Sequence, residues 1–142
     1  MICSKILVAY DGSVLGKKSL QKAIELASTN SSIEIEVLHV VPQNPYVGFE
    51  YAPTETELQM LMEEGRIVLE TAENMLSGTP NTWNTVVLTG FPAMLILEYV
   101  RASSCDLIMM GSRGLSGLKE LFLGSVSHHV VQHSPVPVFV VK

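Results

Sequence analysis

The sequence is poor in cysteine and in basic residues, and it contains no long apolar run. Its two cysteines, Cys3 and Cys105, lack the CxxC spacing or neighbouring paired histidines of a zinc site, and we expect both thiols to be reduced. Nine Lys and Arg stand against 14 Asp and Glu, giving a net charge of −5, and no basic cluster suits a nucleic-acid backbone. No apolar run approaches the roughly 20 residues of a membrane helix. These absences favour a soluble cytoplasmic protein that binds neither nucleic acid nor a membrane.

The composition that remains is typical of one compact domain. At 142 residues, 47% hydrophobic and 16% charged, the chain is large enough to bury a single core and too apolar to be disordered. We therefore expect residues 1–142 to form one domain.

Five short apolar runs alternate with four segments of helical periodicity. The runs predict strands over residues 5–10, 33–41, 83–90, 105–112 and 136–142. Helices are predicted to begin after the cap Ser13, at a capping box of Thr54 and Glu57, at Pro92 and near Ser125. Apolar strands that alternate with helices predict the α/β class, here a doubly wound, Rossmann-like, five-stranded parallel sheet with four helices. Ligands bind such sheets beyond the carboxyl ends of the strands, where the strand order reverses.

The segment after the second strand is predicted to be a loop, and the histidines are predicted not to bind a metal. Residues 42–53 contain three prolines and one glycine, which predicts a loop whose aromatic residues either form a partner surface or fold back onto the domain. His39 lies inside an apolar strand, and we expect a buried, hydrogen-bonded core histidine. His129 and His133 share a helical face, but without a third ligand we expect a solvated helix end instead of a metal site.

The stretch "YDGSVLGKKS", residues 10–19, is similar to a phosphate-binding P-loop but does not match one. Three residues separate Gly12 from Gly16, whereas a P-loop needs four so that successive N–H groups can wrap a phosphate. We therefore expect Gly12 and Ser13 to form the turn and cap before the first helix, with Lys17 and Lys18 in solvent.

The segment after the fourth strand carries the strongest signal for a ligand. Gly111, Gly114 and Gly117 recur at every third residue, and Gly124 then precedes Ser125 at a predicted helix start. Glycines so placed allow a nest of N–H groups to approach an anion, and a helix N-terminus adds its positive dipole end. Ser125 and Ser127 can donate hydroxyl hydrogen bonds to phosphate oxygens. The alternative is a glycine loop that merely caps a helix.

Taken together, these residues resemble the universal stress protein family. "KILVAYDGS", "LHVV", "DLIMMGSRGLSGLKELFLGSVSHHVV" and "PVPVFVVK" carry the likeness over nearly the whole chain, and "GSRG", nine residues and "GS" resemble the glycine motif of the ATP-binding branch. The resemblance implies the strand order 3-2-1-4-5. It also implies a dimeric regulatory or stress-response module, with a homodimer formed through the last strand, which begins at Val136 and ends at Val141.

The resemblance also implies where ATP, or ADP or AMP, would lie. Ala9 and Asp11 would lie beside the nucleotide, and Val40 would meet adenine through its backbone. Glycines of the segment would approach ribose and phosphates, and the start of the last helix would hold the phosphates. The predicted cofactor-binding residues are Ala9, Asp11, Val40, Met110, Gly111, Arg113, Gly114, Ser116, Gly117, Gly124, Ser125, Val126 and Ser127.

The role of Asp11 and the question of catalysis leave alternatives open. Asp11 would either orient the ribose or a phosphate-bound Mg²⁺, indirectly through the nucleotide, or it would cap the first helix or brace the glycine segment. We assign no catalytic residue and expect binding with at most slow hydrolysis, because the sequence offers no constellation for hydrolysis beyond Asp11. The alternatives are a slow nucleotide hydrolase or phosphotransferase, a receiver domain, which the absence of an Asp after the third strand disfavours, and a dimerising module without a small ligand.

Overall fold

The computed structural model describes residues 3–43, 52–114 and 123–142, and there the predicted alternation of strands and helices is confirmed. In chain order the elements are β1 (Lys5–Ala9), α1 (Val14–Ala27), β2 (Glu34–Pro42), α2 (Glu55–Leu76), β3 (Trp83–Gly90), α3 (Pro92–Ala102), β4 (Leu107–Gly111), α4 (Ser125–His133) and β5 (Val138–Val141). Most of the predicted loop, residues 44–51, lies outside the described residues.

All five strands are parallel and lie in the order β3-β2-β1-β4-β5, which confirms the predicted fold. Strand β1 is central, and its last residue, Ala9, pairs with Leu38 on one side and with Met110 on the other. The chain runs from β1 outward to β2 and β3, then returns to β4 and β5. The strand order therefore reverses beside β1, and a crevice opens beyond Ala9.

Helices cover both faces of the sheet because successive side chains of each strand point to opposite faces. One core lies against α1 and α2 and includes Ile6, Val8, Ile35, Val37, Met109, Leu20 and Leu69. The other lies against α3 and α4 and includes Leu7, Leu38, Ile108, Met110, Ile96 and Val130. Burial of one large aliphatic side chain stabilises the fold by about 1.5–3 kcal/mol before entropy is considered. These two cores hold the strand ends of the crevice in place.

The helix starts follow the capping signals of the sequence. The Ser13 hydroxyl accepts the Gly16 N–H at 3.0 Å, which confirms the cap of α1. Thr54 and Glu57 form the predicted reciprocal capping box of α2. Each such cap is worth about 1 kcal/mol.

Four of the five strands differ from their predicted bounds by one or two residues, and two of the differing boundaries involve proline. Strand β2 continues through Pro42, which pairs with Gly90, and the next N–H, of Gln43, donates to the Gly90 carbonyl at 3.1 Å. A proline is tolerated there because only its own N–H is missing from the ladder. Strand β5 begins at Val138 instead of residue 136, after a turn in which the Val136 N–H donates to the Ser134 hydroxyl at 3.1 Å.

None of the helices within residues 3–43, 52–114 and 123–142 is long and apolar enough to span a membrane.

Candidate functional site

A cavity of about 280 Å³ opens beyond the carboxyl ends of β1, β2 and β4. Every predicted site residue within the described part of the chain lines it: Ala9, Asp11, Val40, Met110, Gly111, Arg113, Gly114, Gly124, Ser125, Val126 and Ser127. Ser116 and Gly117 lie outside the described residues. The fold therefore brings together residues as far apart in the sequence as Ala9 and Ser127.

One end of the cavity is apolar. Its lining residues there are Leu38, Val40, Pro42, Pro92, Ile96 and Met110. Val40 is 7% exposed and Ile96 is 3% exposed, so both side chains are braced by the core behind them. An apolar lining of this kind suits a hydrophobic ring, and backbone groups at the strand ends could provide specificity.

The sequence prediction missed Pro92 and Ile96, which belong to α3. Pro92 occupies the first turn of this helix, just after β3, and Ile96 lies one turn further on the same helix. The sequence does contain a signal for Pro92. It comes just after the third strand, so in a parallel sheet it must lie at the carboxyl edge where the ligand is expected. The family resemblance points only to the ends of strands one, two and four.

The other end of the cavity is polar and is built around Asp11. The Asp11 Oδ1 accepts the Ser13 N–H at 2.9 Å, so the carboxylate braces the turn into α1. Its Oδ2 faces Gly114, where an added Cβ would lie only 2.5 Å from that oxygen. Gly16 stands on the other side, and a Cβ there would lie 2.7 Å from Oδ1. The carboxylate thus occupies space that only two glycines can provide.

The two described ends of the glycine segment are tied together at Ser112. Its carbonyl accepts the Gly124 N–H at 2.7 Å and the Ser127 hydroxyl at 2.7 Å. The Ser112 N–H donates to the Val141 carbonyl at 2.8 Å, which attaches the same point to β5. Gly124 has little room, because a Cβ there would lie 3.3 Å from the Arg113 Cα. Residues 112–114 and 124–127 therefore form one compact cradle.

The hydroxyl of Ser127 is used differently from the prediction in this structure. We expected it to donate to a phosphate, but Ser127 is buried and its single hydrogen points to the Ser112 carbonyl, with the Gly124 carbonyl 3.0 Å from the same oxygen. A hydroxyl has only one hydrogen to donate. Ser125, the first residue of α4, is exposed, and no side chain makes a capping hydrogen bond at this helix start.

The N-terminus of α4 opens into the polar end of the cavity. Gly124 is the N-cap, and no side chain caps the helix. The Gly124 carbonyl accepts the His128 N–H at 2.9 Å, which begins the helical ladder. The N–H groups of the first turn have no partner inside a helix, and they carry its positive dipole end. An anion at this position gains hydrogen bonds and about 0.3–1 kcal/mol of dipole interaction at an exposed site.

The buried side of the site is held by Tyr10 and His39. Tyr10 is almost fully buried, and its hydroxyl lies 2.5 Å from the Thr71 hydroxyl. Burial, with a smaller contribution from the charge of Asp11, raises the pKa of Tyr10, so the phenol stays neutral. His39 is 8% exposed and its Nδ1 lies 2.8 Å from the Tyr10 carbonyl, which confirms the predicted hydrogen-bonded core histidine.

Several charged residues lie away from the cavity, as predicted. Lys17 and Lys18 are exposed, and the Lys18 Nζ donates to the Lys142 carbonyl at 2.6 Å. His129 and His133 stack with ring centroids 4.3 Å apart near the end of α4. Within the described ranges no group of three or more His, Cys, Asp or Glu is placed to hold a metal ion. Among the described residues that line the cavity, Asp11 alone carries a carboxylate.

The fold and the cavity define the class of the protein. It is a Rossmann-like α/β domain with a ligand crevice at the point where the strand order reverses. The chain belongs to the universal stress protein family, whose family model matches residues 3–142.

Comparisons with individual proteins agree with this assignment. The chain is 37% identical over 147 residues to universal stress protein YxiE of Bacillus subtilis, covering 98% of this chain and 99% of that protein. The solved structure of protein MJ0577 matches with a TM-score of 0.83 at 28% identity, over 100% of this chain and 97% of that one. A universal stress protein family protein of Arabidopsis thaliana, solved with AMP bound, matches with a TM-score of 0.71 at 21% identity, over 98% and 91% of the two chains.

Proposed function

We propose that this protein binds an adenine nucleotide, with ATP the foremost candidate and ADP or AMP as alternatives, and acts as a dimeric regulatory or stress-response module. The observation that carries the proposal is the cradle at the polar end of the cavity. There Gly114 and Gly124 let the backbone pack closely against the Asp11 carboxylate and the Arg113 backbone, where a Cβ would not fit, and the first turn of α4 lines the same end of the cavity. The apolar end beside Val40 supplies a matching place for the base.

The parts of the nucleotide follow from the chemistry of the two ends. The adenine ring would lie among the apolar residues, with the Val40 backbone as its hydrogen-bonding partner at the end of β2. Gly111 and Gly114 would approach ribose and phosphates. Ser125 and Val126 would hold phosphates through their N–H groups and the Ser125 hydroxyl, beside Gly124, whose own N–H donates to the Ser112 carbonyl.

The remaining predicted residues take supporting places in the proposal. Ala9, the last residue of β1, and Met110, the last but one of β4, line the cavity between the two ends, and Arg113 would lie next to the phosphates. We propose that Ser127 holds the cradle through the Ser112 carbonyl instead of meeting a phosphate itself. Ser116 and Gly117 stay in the proposed set as residues between the two ends of the cradle.

Adenine as the base is supported by the chemistry of the cavity and by the family. The glycine motif resembles that of the ATP-binding branch, and a protein of the same fold has AMP bound. At 21% identity that likeness concerns the fold alone. The combination of an apolar slot and an anion cradle in one cavity is therefore the main support.

A magnesium ion fits the site through Asp11. Mg²⁺ is usually bound by one or two carboxylates together with phosphate oxygens and water, and one carboxylate lies beside the phosphate end. Asp11 would hold the ion, directly or through water, and the ion would neutralise phosphate charge. Asp11 also braces the turn into α1, so the two roles considered for it are compatible. We propose binding with at most slow hydrolysis.

The proposed dimer uses the free edge of the sheet. Strand β5 is the last strand on its side, and Phe139 on it is 51% exposed. A strand edge with an exposed aromatic residue is a surface that proteins usually cover. Sedimentation equilibrium of the purified chain tests this part, because a monomer at micromolar concentration would contradict it.

The nucleotide proposal is tested with a double substitution and a matched control. Gly114→Val with Gly124→Val should abolish ATP binding in isothermal titration calorimetry while the circular dichroism stays unchanged. Gly78→Val is the control, because a Cβ at Gly78 meets nothing within 4 Å. Mass spectrometry of ligand released from freshly purified protein gives a second readout. Micromolar binding retained by the double variant would refute the site.

A further inference from the structure

His39 makes a contact at the point where the sheet opens. It lies on β2, buried, with Val87 of β3 as its sheet partner. Its Nδ1 is 2.8 Å from the carbonyl oxygen of Tyr10, the first residue beyond β1. The Tyr10 N–H donates to the Leu38 carbonyl at 2.9 Å, so the backbone of Tyr10 is held from both sides.

The chemistry of this contact fixes the hydrogen on the imidazole. A carbonyl oxygen can only accept, so Nδ1 must carry the hydrogen and donate. The peptide unit is planar, and the carbonyl of Tyr10 belongs to the same plane as the N–H of Asp11. The bond from His39 therefore sets the orientation of the peptide from which Asp11 departs.

The position of the Asp11 carboxylate has little tolerance. Oδ1 receives the Ser13 N–H at 2.9 Å, and Oδ2 occupies the space that a Cβ on Gly114 would enter at 2.5 Å. A tilt of the preceding peptide would move this carboxylate either into the backbone of Gly114 or away from the cradle. The anchor of the Tyr10 side chain on Thr71 fixes the ring but leaves the following peptide to be held by its own carbonyl.

We propose that His39 is a positioning residue for the nucleotide site: by holding the Tyr10–Asp11 peptide it places the Asp11 carboxylate at the phosphate end. This inference rests on the proposed nucleotide binding. His39 also lines the cavity, but its Nδ1 is engaged by the Tyr10 carbonyl, and its proposed effect on the ligand passes through Asp11.

Substitutions that keep or remove the donor test this role. In His39→Asn the side-chain amide nitrogen takes the place of Nδ1, and the affinity for Mg-ATP should stay within about threefold of the wild type. His39→Leu removes the donor, and the affinity should fall about tenfold, the size of one well-placed hydrogen bond. His39→Gln, whose amide nitrogen is one bond further out, should behave like the leucine variant and replaces it if that variant does not fold.

Two controls separate positioning from general damage to the fold. The first control is Val37→Ala. Val37 lies on the same strand and the same sheet face as His39, is fully buried and does not line the cavity. The substitution should therefore lower the unfolding free energy and leave the affinity for Mg-ATP unchanged. In an Asp11→Ala background, His39→Leu should cost little further affinity, because the group that it positions is already gone. A full tenfold loss in that background would overturn the inference.

Further measurements test the positioning role of His39 separately from the proposed nucleotide binding. Nitrogen-15 NMR of the nucleotide-free protein should show a protonated Nδ1 on His39, whatever the protein binds. Equal affinities of the wild type and His39→Leu would overturn the positioning role alone. If the wild type binds no nucleotide, the proposed function fails, and the ligand role of His39 fails with it even when the NMR signal is present.

Discussion

Adding a single methyl group at Gly114 should separate the stability of this protein from its proposed activity. In Gly114→Ala the new Cβ would lie 2.5 Å from the Asp11 Oδ2, whereas ordinary contacts begin at 3.4 Å. The carboxylate oxygen must therefore retreat by roughly 0.9 Å. The atom that moves is the far end of a side chain, and the backbone of Gly114 is not in the left-handed region. The substitution should therefore change the unfolding free energy little.

The expected loss of affinity for Mg-ATP follows from the contact of the Asp11 carboxylate that the new methyl group would displace. A hydrogen bond or water-mediated contact to a charged group is worth about 1.5–3 kcal/mol, which corresponds to a loss of about 10- to 150-fold in affinity. The unfolding free energy should change by less than about 1 kcal/mol, as for other substitutions that need only a side-chain shift.

The assay is isothermal titration calorimetry with ATP, with and without Mg²⁺, alongside urea unfolding of each variant. Gly114→Ala should lose most of the gain in affinity that Mg²⁺ provides. Gly78→Ala serves as the control, since its Cβ would enter open space. An unchanged Mg-dependent affinity in a stable Gly114→Ala protein would refute the placement of Asp11 beside the phosphates.

Three further predictions concern the cradle and the frame around it. Ser127→Ala should lower the unfolding free energy by about 1 kcal/mol and ATP affinity severalfold, because the Ser112 carbonyl loses one of its two donors; calorimetry that shows undiminished affinity would contradict this. Asn81→Ala should cost about 2–4 kcal/mol in urea unfolding, since three backbone carbonyls share the two hydrogens of the buried Nδ2, and a cost below about 0.5 kcal/mol would disprove it. Partial burial raises the pKa of Asp106, but hydrogen bonds from Ser4 and the start of β1 outweigh it and hold the pKa below the ordinary 3.8. Asp106→Asn should therefore destabilise the protein at neutral pH, and this deficit should shrink as the pH falls below 3.8, where the wild type loses the same stabilisation; a pH-independent deficit would argue against this cause.

The element pattern was predictable because its causes are local. Caps such as Ser13 act within three residues, and apolar runs such as that of β1 report burial on both faces through their own composition. The glycine spacing around Gly114 and Gly124 likewise predicts an anion cradle, and this stays a prediction. The strand order came from the family resemblance, because periodicity does not say which strands become neighbours.

The contacts inside the site were less predictable because they join distant segments. The hydrogen of Ser127 turns to Ser112 only because the two ends of the glycine segment meet, and Ile96 lines the cavity only because α3 crosses behind β2. No local propensity reports either contact.

The amino-acid sequence by itself determined the class of fold, the helix starts and the edge of the sheet where a ligand can bind, since periodicity, caps and glycine positions act over a few residues. Only the tertiary structure decided that Asp11 fills the space left by Gly114, that His39 holds the peptide before it, and that Ser127 supports the cradle. These choices depend on strand register and on the direction of each side chain to within less than an ångström, and packing across the whole sheet sets both.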